Sequence, residues 1–244
     1  MDLSERRSAS GRHPWEVERL AAYRRVLADN GALAARRVLD VGAGDGWFSE
    51  SLLPSMRQVE QVVCWDINYN ELELTTNDPR LIRTTSAPTP GFDLVLVLDV
   101  LEHIDDPVNF IDDELRPLVS PGAAVLAAVP AHPRLFSAHD RALGHCRRYP
   151  PAEFLGQLDA WIDVIDHGPL FVSLVPLRAA SVAIEKLRGE DDAADHGVGS
   201  WNAAPAITRG VRAVLSADAR VARRLGPLGR RLPGLSHWAF GRVR

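Results

Sequence analysis

Cysteine is scarce in this chain. The only two among 244 residues are Cys64, inside an apolar run, and Cys146, in a polar stretch, and neither sits in a C-x-x-C spacing. That excludes a disulfide-stapled scaffold and a structural zinc site, and it fits a reducing compartment. Long hydrophobic runs are missing too. No segment approaches the ~20 apolar residues of a membrane span, and no early stretch has the form of a signal peptide, so a soluble, cytoplasmic protein is expected. A basic excess is absent as well: the net charge of −4 argues against nucleic acid as the main partner. There is no internal repeat.

What remains is ordinary for a globular protein, with 46% hydrophobic and 25% charged residues. The length suffices for one large α/β domain with a real core. Residues 1–13 read as a loose polar tail, and 14–244 as a single domain. Pro14 to Asn30 has helical spacing, with Gly31 as its C-cap. Strands are expected at about 37–41, 61–65, 80–83, 92–98 and 123–129, with helices near 47–53 and 107–119, the latter closed by Pro121-Gly122. A helix near 151–159 leads to a sixth strand at 161–166, and residues 235–242 suit a last, antiparallel strand. Between them, residues 168–230 hold an apolar segment (170–184), an acidic break (Glu190-Asp191-Asp192) and an Arg-rich segment from Ile207 to Arg231.

Residues 38–49 carry the most information. An apolar run ends at Asp40, Gly42, Gly44 and Gly46 alternate, and an amphipathic segment begins at Trp47. This reads as a buried strand, a tight turn and a helix start. Glycine there permits positive φ and lets a ligand approach with no Cβ in the way. The spacing departs from the G-x-G-x-x-G of dinucleotide folds. About twenty residues on, Val62-Val63-Cys64-Trp65-Asp66 is a second apolar run ending in an acid, the place where nucleotide-binding βαβ sheets accept hydrogen bonds from ribose hydroxyls. The run from Phe92 to Leu98, followed by Asp99-Val100-Leu101-Glu102-His103, suits a central parallel strand covered on both faces.

In order and interval, these segments resemble motifs I and IV of the class I S-adenosylmethionine-dependent methyltransferases, over residues 36–130. The Leu-Glu-His ending is similar to that of the branch containing the ubiquinone and menaquinone methyltransferases. The resemblance implies a Rossmann-like, seven-stranded, mostly parallel sheet with helices on both faces, and a helical insertion (168–230) before the last strand that covers the substrate. It implies S-adenosyl-L-methionine as cofactor. Gly42, Gly44 and Gly46 would approach its methionine part and Asp40 its amino group. Asp66 would take the ribose and Ile67 would lie beside the adenine, while the backbone near Asp99 and Val100 would complete the methionine pocket. Many relatives carry an acid after strand three that holds the adenine amino group. This chain has Thr84-Thr85-Ser86-Ala87 there, so the Thr85 hydroxyl is the substitute acceptor.

The implied activity is methyl transfer to a small-molecule or lipid-like acceptor, with a hydroxyl favoured and carbon or nitrogen left open. The rivals are another S-adenosylmethionine enzyme on the same fold, such as a cyclase or decarboxylase, and a non-catalytic binding protein. The stretch 130–149 leaves the carboxyl edge of the sheet, where ligands of open α/β sheets bind, and holds three histidines. An unperturbed imidazole titrates near neutrality. His139 is the first choice as general base, then His145, then His103 after motif IV; each has the plainer alternative of a structural hydrogen bond. Arg147-Arg148-Tyr149 offers a phosphate or carboxylate contact or a surface pairing.

Asp99, Glu102 and His103 cluster like metal ligands, and some quinone methyltransferases with a similar motif use magnesium. Magnesium favours oxygen ligands and retained water, and an Asp99 at the cofactor is not free to hold a metal, so no metal is assigned. The Arg-rich segment suits peripheral contact with an anionic membrane, a phosphorylated substrate or a solvated basic face.

Overall fold

The computed structural model describes residues 12–70, 74–188, 201 and 203–244. The expected tail (except Arg12 and His13) and the acidic break Glu190-Asp191-Asp192 lie outside the described residues. Fourteen elements follow in order: α1 Pro14–Asp29, β1 Arg37–Val41, α2 Trp47–Leu52, β2 Gln61–Trp65, β3 Leu81–Thr84, β4 Phe92–Leu98, α3 Pro107–Asn109, β5 Val119–Pro130, α4 Ala138–Ala142, α5 Pro151–Leu158, β6 Ile162–Leu170, α6 Val175–Arg188, α7 Pro205–Arg224 and β7 Ser236–Val243.

The strands form one seven-stranded sheet in the order β3-β2-β1-β4-β5-β7-β6. β7 runs antiparallel to both of its neighbours, and the pairs from β3 to β5 are parallel. Side chains alternate across a strand, and β4 shows why its whole run must be apolar. Leu94, Leu96 and Leu98 enter the core under α1 with Tyr23, Leu27 and Phe240. Val95 and Val97 enter the opposite core with Leu115, Phe154 and Trp161.

Local chemistry sets the element ends. His13 and Glu16 form a capping box at the start of α1, with Pro14 at its first turn. Asn30 closes that helix, and Gly31 follows with φ 69°. The sequence predicts one helix over 107–119, but the chain makes the short α3, a π-helical turn at Phe110–Leu115 and a 3₁₀ turn at Arg116–Leu118. Pro117 lacks the N–H that would continue an α-helical ladder. β5 starts at Val119 instead of 123, with a register shift opposite Phe92 and Leu94 that absorbs Pro121 and Gly122 as a bulge.

Much of the Arg-rich segment is α7, which lies against α1 and β6. Arg212 pairs with Glu18 at 2.8 Å, Arg223 with Asp29, and, past the helix, Arg230 with Asp166 at 2.8 Å. No described helix is long and apolar enough to cross a membrane.

Candidate active site

Past β1 the backbone turns through Gly42, Gly44 and Gly46 at φ 60°, 57° and 75°, all left-handed. At Gly42 the turn also has no room, since a Cβ would stand 2.7 Å from Val100 Cγ2. Asp66, just past β2, holds this loop. Its carboxylate accepts from the Gly44 N–H at 2.9 Å and from the Asn68 N–H at 2.9 Å, and a carboxylate has further lone pairs to offer a ligand. Ile67 beside it is 76% exposed.

These ends open onto a cleft of about 280 Å³. Gly42, Asp66, Ile67, Asp99 and Val100 line one part of it. His103, Ile104, Phe110 and Leu143 line another. Asp40 is buried behind the loop, where its carboxylate accepts from Ser49 Oγ at 2.7 Å. Burial raises its pKa to about 6 against the hydrogen bond from Ser49, which lowers it. Thr85 is exposed beyond β3, outside the cleft lining.

Among the described residues of the N-terminal region, Arg19 and Arg12 reach this site without having been singled out from sequence. Arg19 of α1 is ion-paired with Asp99, whose backbone is left-handed at φ 56°, and its guanidinium stacks on Trp15 at 4.6 Å. Arg12 pairs with Asp45 in the glycine loop and lies 4.8 Å over the Trp47 ring. The signal was there: Trp15, Arg19, Tyr23 and Val26 form one face of α1, and a cation within an otherwise apolar stripe needs a buried partner.

The histidines separate in space. His103 lines the cleft, and its ring is hydrogen-bonded to the Gly144 backbone. His145 packs edge-on against it at 4.8 Å between ring centroids. His145 Nδ1 is 3.2 Å from Asp140 Oδ1, and its Nε2 is 4.0 Å from Glu102 Oε1. His139 lies on α4, outside the cleft lining.

Asp140, next to His139 in sequence, bonds His145, Arg148 Nε at 2.7 Å, Arg178 at 2.7 Å and the Ser137 N–H at 2.9 Å. Burial alone would raise the Asp140 pKa, but the bond from His145 and the two guanidinium groups hold it well below the usual carboxylate range. Arg148 and Tyr149 are buried and Arg147 is half-buried at the surface: Arg147 donates to the Asp105 carbonyl, Arg148 also to that of Ala131, and Tyr149 to that of Leu101. The Cys146 N–H donates to the Glu102 carbonyl at 2.7 Å. These bonds dock the histidine-bearing loop onto the turn after β4.

Electrostatics follow from the burial. Desolvation, then the positive charge His145 can carry, lower the His103 pKa and keep its ring neutral at pH 7. Glu102 is fully buried with neither carboxyl oxygen hydrogen-bonded, and burial together with the Asp99 charge pushes it far above the carboxylate range. Glu102, His103 and His145 bring potential ligand atoms within 4.8 Å of one another. Relative to the set read from sequence, His145 takes the place of Asp99, which is engaged with Arg19.

Comparison with known proteins adds three findings. The profile of a family described as a methyltransferase domain matches residues 14–160. The ubiquinone biosynthesis O-methyltransferase of Psychrobacter cryohalolentis is 28% identical over 115 residues, 43% of this chain and 45% of that protein. The chain thus spans less than half the length of that curated relative. Among solved structures, coclaurine N-methyltransferase with N-methylheliamine and SAH superposes with a TM-score of 0.54 at 12% identity, over 91% of this chain and 72% of that one. The [4+2]-cyclase SpnF superposes at 0.51 and 16% identity, over 90% and 79%. At these identities the likeness is one of fold.

Proposed function

Since the chain belongs to the class I S-adenosylmethionine-dependent methyltransferase family, we propose that it transfers a methyl group from S-adenosylmethionine to a hydroxyl of a small, largely apolar acceptor. The observation that carries this reading is the single cleft in which Asp66 and Gly42 share walls with His103, Ile104 and Phe110. The residues fit the cofactor: Asp66 keeps acceptor capacity, Ile67 offers an uncovered apolar surface, and Gly42 and Gly44 hold a loop with positive φ. Arg19, beside Asp99, suits the methionine carboxylate. The oxygen acceptor takes support from the relative's name, and a lipid-like acceptor suits the apolar rim of Ile104, Phe110 and Leu143.

When bound, the cofactor supplies a methyl group already activated by its sulfonium. The chain must then align the acceptor, exclude water and take a proton. Alignment is worth ~7–11 kcal/mol of the barrier when the reacting atoms are held near attack distance. The apolar rim does this and keeps water away. With cofactor and acceptor bound, His103 in the cleft wall would take the acceptor hydroxyl's proton while the methyl group leaves the sulfonium sulfur for the oxygen. Its lowered pKa leaves the lone pair available at neutral pH, and Gly144 fixes the ring. A base so placed contributes roughly 10²–10⁴-fold. His145 acts through His103, oriented by Asp140, whose carboxylate its charged partners hold well below the usual range. His139 is left with a structural role on α4.

A labelled-methyl assay against a panel of simple phenols and aliphatic alcohols tests the assignment. Label should reach oxygen in the wild type and fall by at least ~100-fold in His103→Ala. Transfer to nitrogen or carbon alone, or full turnover in His103→Ala, would overturn it.

A further inference from the structure

A second cavity, of about 150 Å³, lies between α1, α7 and the end of β6 and shares no lining residue with the cofactor cleft. Its apolar surface includes Val26, Leu170 and Trp238. Gly168 leaves the indole reachable, since a Cβ there would stand in contact with the Trp238 ring at 3.4 Å. Three guanidinium groups line it: Arg25 from α1, Arg223 from α7 and Arg230 beyond. The single carboxylate among the described residues of the lining, Asp166, already accepts from Arg230 at 2.8 Å and from the His167 N–H at 2.9 Å. Arg223 is paired with Asp29, and Arg25 has no acidic partner among the described residues. Burial lowers the His167 pKa, so that ring adds no charge at pH 7.

The cavity therefore has a surplus of positive charge around an apolar, aromatic floor. An arginine engaged through one terminal nitrogen keeps other N–H donors, and guanidinium pairs best with planar carboxylates. A cavity of about 150 Å³ is large enough for one benzene ring. We propose that this cavity is a second binding site, separate from the cofactor cleft, for a monocyclic aromatic carboxylate. The ring lies against Trp238 and the carboxylate between Arg25 and Arg230. The guanidinium groups select against neutral isosteres.

Calorimetric titration with benzoate tests this, with benzamide and acetate as probes lacking the charge or the ring. Benzoate should bind at one site per chain, and both controls should bind about tenfold more weakly or less. Arg25→Ala changes an exposed residue and should weaken benzoate about tenfold. Ala219→Leu places a larger apolar side chain in the cavity lining and should abolish binding, with thermal unfolding confirming a folded protein. Should that variant fail to fold, Arg25→Ala decides alone. The proposal is overturned by absence of saturable benzoate binding, by acetate binding equally well, or by benzoate affinity unchanged in the variants. None of these readings depends on methyltransferase activity.

Discussion

A carboxylate with no water around it is costly, and Asp40 is such a group. Its folded pKa of about 6 lies above its ordinary 3.8. The proton-bound form is thus the one the fold favours: stability linked to this group is present below pH 4 and is lost as pH rises through 6. Asp40→Asn keeps an acceptor for Ser49 without the charge. It should stabilise the protein by up to about 3 kcal/mol at pH 8 and by about half as much at pH 5, read from urea unfolding at both pH values. An equal effect at the two would contradict the burial of an ionised group.

His103 shifts for a related reason, through burial and then His145. His145→Asn should therefore raise the His103 pKa toward 6.5, measured by NMR titration of its ring protons; a fall or no change would remove His145 as its neighbour in charge. At this scale the sequence was readable wherever backbone conformation dictates residue type. Gly42 must be glycine because its φ is positive and Val100 fills the space a Cβ needs. The order of the histidines was not readable. Asp140 is adjacent to His139 and yet bonds His145, a choice made by how the loop folds back on the turn after β4.

At the scale of elements, α6 is fastened to α4 by few bonds. Arg178 reaches Asp140 at 2.7 Å and Ser137 Oγ at 2.6 Å, and Glu185 accepts from the Ala138 N–H at 2.7 Å. Arg178→Ala removes a charge-assisted bond to a buried carboxylate. It should cost about 1.5–3 kcal/mol of stability and speed hydrogen exchange in α6 before the sheet is affected. Uniform exchange across the molecule would show that the link is not local. The strands were legible because apolar runs such as Phe92–Leu98 have only one use, burial on both faces. The 107–119 segment was not, because composition favours helix while Pro117 forbids its α-helical continuation. α1 was legible as a helix, but Arg19 showed its role only once β4 placed Asp99 opposite it.

Over the whole molecule, strand order explains where the cleft is. The sequence runs outward from β1 through β2 to β3, then resumes on the other side with β4 and β5. Ligands of open α/β sheets bind at the carboxyl ends of strands where the order reverses. Gly42, after β1, and Asp99, after β4, flank that point, with Asp66 one strand away. Segments far apart in sequence thus converge, which a reading along the chain reaches only through the motif spacing.

The central claim is that these three strand ends hold S-adenosylmethionine, and calorimetric titration tests it most directly. The purified protein should bind S-adenosylmethionine and S-adenosylhomocysteine at one site with micromolar affinity. Asp66→Ala should weaken both by about 1–3 kcal/mol through loss of the ribose contact proposed for it and of the bond that holds Gly44. Failure to bind either compound, or binding that Asp66→Ala leaves untouched, would contradict the account.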